Sequence, residues 1–478
     1  MQRLSGVDSA FLSLETPTAR MHIVGVIILD PSTVEDGYSF ENLKRLLMSR
    51  IHRIPPFYRR VRKVPFNIEH PYWVKDPNFD VDNHVRRMTI PAPGGQAELG
   101  KLVGQIAAAP LDRDRPLWEV VVIEGLENGY VALVTKMHHA AGDGMASGYL
   151  MLQMLDMSPE VPKISDPVPL PSEPVPTDAE MLQQAVRDRI QDPLRVARQA
   201  RKTFGKAVDL MRHWVSKGTE NFSPVLPFMA PKTMFNRTIS AERVAAFGQA
   251  PLEDFKVARR AFNCTVNDVV LAACTGALRR YLLDHADLPD KALVASCPVS
   301  VRRPDENMAM SNRVSTLFVR LPVHVEDPLE QIRIIALDTA DAKTVHKAMG
   351  ADMLQDWAEL AAPYAFTAAA RMFSAMRLSD RMAPVHNLIV SNVPGPPIDL
   401  YCLGAKVVVF YPLGPVLEGA GLNITVVSKK GEMDMGIMAC PDSAPNPQLI
   451  ADYFCEAAAE LRALADAKLA KDQEEATA

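Results

Sequence analysis

The sequence predicts an α/β (α+β) protein of two similar halves, and three observations lead to that fold class. Strand-like and helix-like runs are mixed throughout the 478 residues, instead of being segregated into separate regions. Residues 158–177 contain seven prolines, which is typical of an extended linker that has no core of its own. The length suits two or three domains with sizeable cores. We therefore expect an N-terminal domain at 1–157, a linker region at 158–234, a C-terminal domain at 235–468 and a disordered tail at 469–478.

The N-terminal half reveals its strands and helices through the spacing of its apolar residues. Residues 21–30, MHIVGVIILD, form a predicted strand, and ENLKRLLMSRIHRI from Glu41 has the spacing of an amphipathic helix. The runs WEVVVIEGL and YVALVTKMHH flank Asn128 and Gly129, which is a strong signal for a β-hairpin. After Gly144, the pattern MASGYLMLQML suits a buried helix.

The linker region contains a predicted basic helix at 193–217. Asp192 is placed to cap its start, and Gly218 is placed to end it. An apolar stripe on one side is flanked by basic residues, which include Arg198, Lys202 and Lys206. Two interpretations stay open: the stripe packs against the core, or the helix lies on an anionic lipid surface.

The C-terminal half begins near Phe235 and again mixes both kinds of element. Helices are predicted at 252–262, at 266–281 and from Gln448 to about Lys468. Strands are predicted for the runs ALVASCPVSV, RVSTLFVRLPV, NLIVSNV and AKVVVFY and for the hairpin LNITVVSKKGEMDMGIMA. This half therefore repeats the α/β pattern of the first.

Charge and cysteine usage argue against several classes of protein. The net charge of −5 gives no general case for nucleic-acid binding. The six cysteines include no C-x-x-C pair, so neither a zinc site nor a disulfide framework is indicated, and reduced thiols are the simplest interpretation. The N-terminus has no signal-peptide core, and no apolar run approaches the roughly 20 residues that span a bilayer. We expect a cytoplasmic protein that is soluble or attached to a membrane surface.

The stretch KMHHAAGDGMASG, residues 136–148, places two histidines at the end of a predicted strand. Neighbouring side chains on a strand point to opposite faces, so His138 and His139 are not expected to share one pocket or one metal ion. One histidine should face a cleft and the other the protein body. The glycines around Asp143 suit a sharp turn, and Asp143 itself suits a turn, a helix N-cap or a buried ion pair.

His139 is the better candidate for chemistry, because it stands at the strand end beside the glycine turn. The ordinary alternative is a buried histidine with satisfied hydrogen bonds, and the spacing alone leaves both open. Histidine is the usual general base because its unperturbed pKa of about 6.5 lies near neutral pH. No G-x-S-x-G motif accompanies it. A base without a protein nucleophile would deprotonate a substrate hydroxyl, amine or thiol directly, and acyl transfer without an acyl-enzyme would fit.

Several motifs together resemble one family of bacterial enzymes. The segment from His138 to Gly144 matches the HHxxxDG motif of acyltransferases with the chloramphenicol acetyltransferase-like fold. Five further segments make the chain similar to bacterial wax ester synthase/diacylglycerol acyltransferases: LSGVDSAFLSLETPTARMHIVGV, RPLW from Arg115, Asn267-Asp268, SNVPGP from Ser391 and YPLGP from Tyr411. The resemblance runs from about residue 4 to 465.

The resemblance implies an acyl-CoA-dependent O-acyltransferase that makes triacylglycerol from diacylglycerol, or wax ester from a long-chain alcohol. It implies two chloramphenicol acetyltransferase-like domains with mixed sheets and an active-site channel between them. Acyl-CoA would be a co-substrate, with no other cofactor and no metal. The greasy acceptor would bring the protein to the inner membrane face or to lipid droplets. A non-catalytic lipid-droplet surface protein and a condensation-type domain that acts on carrier-protein thioesters are the alternatives.

The resemblance also carries over the roles of individual residues. His139 matches the general base that accepts the proton, and His138 matches the neighbour that shapes the site. Asp143 matches a residue that holds the loop, and Gly144 matches a glycine that lets the substrate approach closely.

Four further residues match family motifs that are proposed to bind substrate: Asn267, Asp268, Asn392 and Pro394. Each has a structural alternative, because Thr265 and Asp268 are spaced as a capping box at a helix start, and the prolines after Asn392 suit a rigid strand end. Lys429 departs from the family, in which many relatives carry an aromatic residue there. A solvated hairpin turn is the preferred interpretation of Lys429.

Overall fold

The computed structural model describes residues 1–34, 38–142, 153–171, 173–190, 228–301, 312, 314–349 and 363–477. Its helices are α1 (Gly6–Leu14), α2 (Phe40–Arg50), α3 (Gln96–Ala108), α4 (Asp178–Ile190), α5 (Leu252–Phe262), α6 (Val266–Asp284), α7 (Pro328–Met349), α8 (Pro363–Ala375) and α9 (Gln448–Thr477). Its strands are β1 (Gln2–Arg3), β2 (His22–Asp30), β3 (Arg59–Arg62), β4 (Tyr72–Lys75), β5 (Val85–Thr89), β6 (Trp118–Glu124), β7 (Val131–His138), β8 (Val244–Pro251), β9 (Leu293–Ser300), β10 (Val314–Leu321), β11 (Leu388–Pro394), β12 (Tyr401–Cys402), β13 (Ala405–Leu413), β14 (Leu422–Ser428) and β15 (Glu432–Ala439).

Within the described part of the chain, the strands form two six-stranded sheets and one three-stranded sheet. The N-terminal sheet has the order β12-β13-β2-β7-β6-β5, and the C-terminal sheet has the order β10-β9-β11-β14-β15-β8. Both sheets are mixed, since β5 runs parallel to β6 and β11 runs parallel to both of its neighbours, while the other pairs are antiparallel. The α/β fold class predicted from the sequence is confirmed.

Strand β13 comes from the C-terminal half of the chain but lies in the N-terminal sheet. It runs antiparallel to β2, with Lys406 opposite Asp30 and Leu413 opposite Val24. The sequence predicts this strand correctly but gives no sign of its destination, because alternation along a strand is the same in either sheet. A boundary near residue 235 therefore does not separate the two sheets.

The local signals for turns and helix starts act as their chemistry predicts. Asn128 and Gly129 both have positive φ, at 62° and 73°, in the connection between the antiparallel strands β6 and β7. The predicted hairpin is therefore confirmed. Helix α6 begins with a capping box in which Thr265 and Asp268 bond each other's backbone N–H.

The helices differ from the prediction at several places. Helix α9 continues through Thr477, so the described residues of the predicted disordered tail are helical. Ion pairs one turn apart, Lys468–Asp472 and Lys471–Glu475, support this extension. The sequence did not predict helices α1, α3, α4, α7 and α8. At the start of α4, Glu180 accepts a hydrogen bond from the backbone N–H of Thr177. The helices predicted after Gly144 and at 193–217 lie outside the described residues.

No single helix in the described ranges is long and apolar enough to cross a bilayer, and α5 with α6 reaches that length and composition only as a pair that bends by 106°.

The hydrophobic core joins the two halves. One core lies against the C-terminal sheet and includes Phe255, Tyr281 and Phe454 from its helices. A second core lies between the N-terminal sheet and α3 and also contains Phe247 of β8 and Met438 of β15. Because strands from both sheets contribute to this second core, the halves are packed as one body.

Candidate active site

The two histidines of the HH motif lie at the end of β7 and face opposite ways. Backbone hydrogen bonds hold both, from His138 N to Leu117 O at 2.9 Å and from His139 N to Met21 O at 2.7 Å. His138 is fully buried, whereas His139 lines a large cavity. The prediction that one histidine faces a cleft and the other the protein body is confirmed.

His138 is a neutral, buried histidine whose tautomer follows from its partners. Its Nδ1 accepts a hydrogen bond from the backbone N–H of Ala140 at 3.0 Å, so the ring proton is on Nε2. That nitrogen lies 3.3 Å from Oε2 of Glu15 and points its N–H at that carboxylate oxygen. Burial, with further contributions from the Arg113 and His139 charges, holds the pKa of His138 well below its ordinary value.

Glu15 is the anion that holds this side of the site together. Its carboxylate is nearly buried and contacts Arg113, Arg20 and His138. It follows α1, so these contacts fasten the end of that helix to the end of β7. His138 therefore contacts Glu15 behind the end of β7 and is not among the described residues that line the cavity.

The partners of the His139 ring include Phe11 and Asn312. Its plane stacks on the ring of Phe11, with centroids 3.9 Å apart and an angle of 14° between the planes. Its Nδ1 lies 3.1 Å from Oδ1 of Asn312. The amide of Asn312 in turn contacts Asp8, at 2.6 Å between Nδ2 and Oδ1.

Helix α1 supplies several of these groups because of its periodicity. Asp8, Phe11 and Glu15 occupy positions i, i+3 and i+7, which lie on one side of a helix or continue that side past its end. Ser5 caps the helix by accepting a hydrogen bond from the backbone N–H of Asp8 at 3.1 Å. One short, capped helix therefore holds both histidines.

The cavity beside His139 has a volume of about 980 Å³ and receives side chains from both halves of the chain. Its walls are mostly apolar and include Leu14, Trp118 and Val120 from the first half and Ile389, Val393 and Val427 from the second. A large space with mostly apolar walls suits greasy substrates. His139 is one of the polar residues that also line it.

The other predicted site residues fall into three groups. Pro394 lines the cavity. Asp143 and Gly144 lie outside the described residues. Asn267, Asp268 and Asn392 are not among the described residues that line the cavity. Nδ2 of Asn392 lies 3.4 Å from Oδ1 of Asn267.

Asp268 has a structural role at the start of α6. Its Oδ2 accepts the backbone N–H of Thr265 at 2.8 Å, and its Oδ1 accepts the hydroxyl of Thr339 at 2.8 Å. The second bond ties α6 to α7. The capping-box interpretation is confirmed, and these contacts alone account for both carboxylate oxygens.

We expect Asp268→Ala to lower the free energy of unfolding by about 1–3 kcal/mol, because it removes the cap and leaves the buried Thr339 hydroxyl with a weaker set of partners. The KM for substrate should stay within about threefold of wild type. Thermal unfolding and steady-state kinetics measure the two effects. A stable variant with a strongly raised KM would instead place Asp268 in contact with substrate.

Lys429 corrects the prediction of a solvated hairpin turn. Its Nζ lies 3.2 Å from Oδ2 of the fully buried Asp434 and also donates to Val408 O. The backbone N–H of Phe410 shares the same carboxylate at 2.9 Å. The turn itself falls at Lys430 and Gly431, and Lys429 is a largely buried cation at the cavity wall.

Sequence reasoning missed the roles of Asp8, Phe11, Glu15 and Asn312. The first three lie in the opening segment LSGVDSAFLSLE, where their spacing of three and then four residues is a signal for one helical face. Asn312 offers no comparable signal, because its contact with Asp8 joins residues 304 positions apart.

Comparison with known protein families gives one consistent match. The family described as the wax ester synthase/diacylglycerol acyltransferase catalytic domain matches residues 4–270. The description of the C-terminal domain of the same family matches residues 310–462. Together these two matches cover most of the chain.

Relatives from two genera align over almost the whole chain. A protein of Mycobacterium tuberculosis (strain H37Rv) that carries the provisional name diacylglycerol O-acyltransferase is 38% identical, over 98% of this chain and 91% of its own length. The O-acyltransferase WSD of Acinetobacter baylyi is 31% identical, over 95% of this chain and 96% of its own length.

Solved structures agree with this match. The wax ester synthase/diacylglycerol acyltransferase from Marinobacter aquaeolei VT8 superimposes with a TM-score of 0.68 at 27% identity, over 98% of this chain and 100% of that one. The starter condensation domain of rhizomide synthetase, solved with C8-CoA and Leu-SNAC, has a TM-score of 0.56 at 13% identity, over 97% and 94% of the two chains. The second match concerns the fold alone.

Proposed function

The chain belongs to the wax ester synthase/diacylglycerol acyltransferase family, and from this premise we propose that it transfers an acyl group from acyl-CoA to the hydroxyl of diacylglycerol, yielding triacylglycerol. The observation that carries the proposal is the position of His139, whose ring lines a large apolar cavity that both halves enclose. The provisional name of the mycobacterial relative supports diacylglycerol as the acceptor.

The proposed reaction needs no covalent intermediate on the protein. Neutral His139 accepts the proton of the acceptor hydroxyl while the oxygen attacks the thioester carbonyl. The tetrahedral intermediate then loses its C–S bond, and CoA leaves as the thiol with the proton that His139 returns. General-base help of this kind is worth roughly 10²–10⁴-fold, or about 3–5 kcal/mol. Holding both substrates in one cavity lowers the activation barrier further, by as much as about 7–11 kcal/mol.

The remaining site residues have supporting parts in this proposal. His138 shapes the site from behind through Glu15, and Pro394 contacts substrate at the cavity wall. Asp143 as support of the loop and Gly144 as the point of close approach stay predictions. We propose no direct substrate contact for Asn267, Asp268 or Asn392.

The partners of this reaction are acyl-CoA and diacylglycerol, and we propose no further cofactor, because the histidine base and the thiol leaving group account for each step of the transfer. Both the acceptor and the product are lipids. We therefore place the protein in the cytoplasm, at the inner membrane face or on lipid droplets. Cell fractionation that found it only in the soluble fraction would contradict this placement.

A long-chain alcohol is the second candidate acceptor. The Marinobacter structure, which matches this chain over nearly its full length, is titled for both wax ester synthase and diacylglycerol acyltransferase activity. Both acceptors present a hydroxyl on a long apolar body, so the cavity chemistry suits either. Channel width and acceptor depth decide between them.

A competition assay tests the proposal. The purified chain receives palmitoyl-CoA with diolein and hexadecanol together, CoA thiol release is followed, and the neutral lipids are separated by chromatography. We expect triacylglycerol as the main product. Wax ester alone would favour the second candidate. Failure to release CoA with either acceptor would favour the non-catalytic lipid-droplet protein.

A further inference from the structure

We propose that Asn312 and Asp8 are positioning residues that set the tautomer and orientation of the His139 imidazole. This inference rests on the proposed role of His139 as general base and deepens it. It concerns three side chains that contact one another in series, Asp8, Asn312 and His139, of which the middle one comes from the other half of the protein. We call this series of contacts the Asp8–Asn312 relay.

The first step is the orientation of the Asn312 amide. Its Nδ2 lies 2.6 Å from Oδ1 of Asp8 and 2.7 Å from the backbone O of His139. Both neighbours are acceptors, so the amide must present its NH₂ group to them. The reverse orientation would set the amide oxygen against two other oxygens. The Oδ1 of Asn312 therefore has only one direction left, towards the His139 ring.

The second step is the consequence for the ring. Because Oδ1 of Asn312 accepts and does not donate, the ring nitrogen 3.1 Å away must carry the proton. In its neutral form His139 is therefore the tautomer with hydrogen on Nδ1 and the lone pair on Nε2. A general base needs a lone pair on a defined nitrogen, and a partner on the other nitrogen is the usual way to obtain it. The stack on Phe11 fixes the plane of the same ring.

The third step is the anchoring of Asn312 by Asp8. The Oδ1 of Asp8 accepts from both the backbone N–H and the side-chain Nδ2 of Asn312, at 3.1 and 2.6 Å. Asp8 and Asn312 are 3% and 2% exposed, so water does not compete for these bonds. A carboxylate is a stronger acceptor than a neutral oxygen. Asp8 is therefore suited to hold the amide in the orientation that the ring requires.

The burial of Asp8 lowers the stability of the fold. A role of Asp8 in positioning can therefore be distinguished from a role in stabilising the protein. Burial raises the pKa of Asp8 from its ordinary value near 3.8 to about 6, against hydrogen bonds from Asn312 and Ser5 that lower it. The folded state thus holds the proton more tightly than the unfolded chain, and stability falls as pH rises through this interval. At pH 8 the ionised carboxylate weakens the fold. A purely structural residue would be expected to do the opposite.

The test uses the full chain and the palmitoyl-CoA and diolein assay at pH 8. Asn312→Ala should lower kcat by about 10–100-fold, by analogy with the loss when a partner that orients a metal-bound histidine is removed. The KM for palmitoyl-CoA should stay within about threefold. Asp8→Asn keeps a neutral acceptor for the amide and should lower kcat less than Asp8→Ala. Asp8→Asn should also raise Tm at pH 8, because it removes a buried charge.

A double-variant cycle separates the relay from a general effect on folding. In the background of His139→Ala, the further change Asn312→Ala should leave the residual rate unchanged, because the relay acts only through His139. Asn387→Ala is the matched control, since Asn387 is another fully buried asparagine, with bonds to Val294 N and Pro231 O far along the chain from His139. It should lower Tm and leave kcat within about threefold.

Each outcome bears on one idea only. A folded Asn312→Ala variant with kcat within about threefold of wild type would overturn the relay, as would a further loss of rate in the His139→Ala background. If Asn312→Ala does not fold, Asp8→Asn decides, and an unchanged kcat with raised Tm would overturn the relay. Full activity of His139→Ala would instead overturn the proposed base, whatever the relay variants do.

Discussion

Replacing His139 by alanine is expected to lower acyl transfer from palmitoyl-CoA to diolein by about 10²–10⁴-fold while the protein stays folded. The reason is that the imidazole lines the cavity and, in the proposed mechanism, accepts the proton of the acceptor hydroxyl. The fold should tolerate the change, because the ring belongs to a cavity wall and not to a sealed core. CoA thiol release measures the rate, and circular dichroism with thermal unfolding checks the fold.

His84→Ala is the matched control for this loss. His84 is also a histidine of the N-terminal half, but it is buried, bonds Trp118 O at 2.8 Å and is not among the described residues that line the cavity. Its loss should lower Tm and leave the rate within about threefold. If His139→Ala kept the wild-type rate in a folded protein, another group would have to remove the proton, and the mechanism would need a different base.

The expected effect of replacing His138 follows from its orientation, which is opposite to that of His139. His138 has its Nδ1 on Ala140 N and its Nε2 towards Glu15, so its loss acts on the end of β7 and not on the reacting atoms. The opposite orientation of the two histidines could be predicted from the sequence, because neighbouring residues on a strand must face opposite ways. Which of the two faces the cavity could not, since that depends on what packs on each side.

Most single elements could be predicted because their signals are local. The capping box at Thr265 and Asp268, the hairpin at Asn128 and Gly129 and the alternation of the strands each act within a few residues. The entry of β13 into the N-terminal sheet could not be predicted in this way. Its partner β2 lies almost 400 residues earlier in the chain, and the alternation of polar and apolar residues carries no label for the sheet that a strand joins.

In the candidate site, too, the local features could be predicted from the sequence and the long-range contacts could not. The HH motif is local and identified the histidine that lines the cavity. The groups that act on that histidine, Asp8 and Asn312, come from an N-terminal helix and from the C-terminal half. The prediction for Lys429 was wrong for the same reason. A lysine in a hairpin is expected to face solvent, and the sequence does not show that the buried Asp434 lies beside it.

Gly104→Val is expected to give the largest loss of stability, at about 3 kcal/mol or more. Gly100 and Gly104 are one turn apart on α3 and face the backbone of β8, the edge strand of the C-terminal sheet. A Cβ at Gly104 would lie 2.1 Å from Arg243 O and 2.9 Å from the Cα of Val244. These are backbone atoms, which cannot move aside as the end of a side chain can, and overpacking of this kind costs about 1–3 kcal/mol even for small insertions.

Helix propensity argues in the other direction, which makes the experiment decisive. Valine is a slightly better helix former than glycine, by a few tenths of a kcal/mol, so an α3 that merely packed at its surface would be unchanged or stabilised. Lys101→Val, on the exposed side of the same helix, is the control and should change stability by less than about 1 kcal/mol. Denaturant unfolding of both variants measures the difference. Because α3 and β8 contribute to the core shared by both halves, Gly104→Val should also lower acyl transfer, and equal stability of the two variants would mean that α3 and β8 do not meet as closely as these distances state.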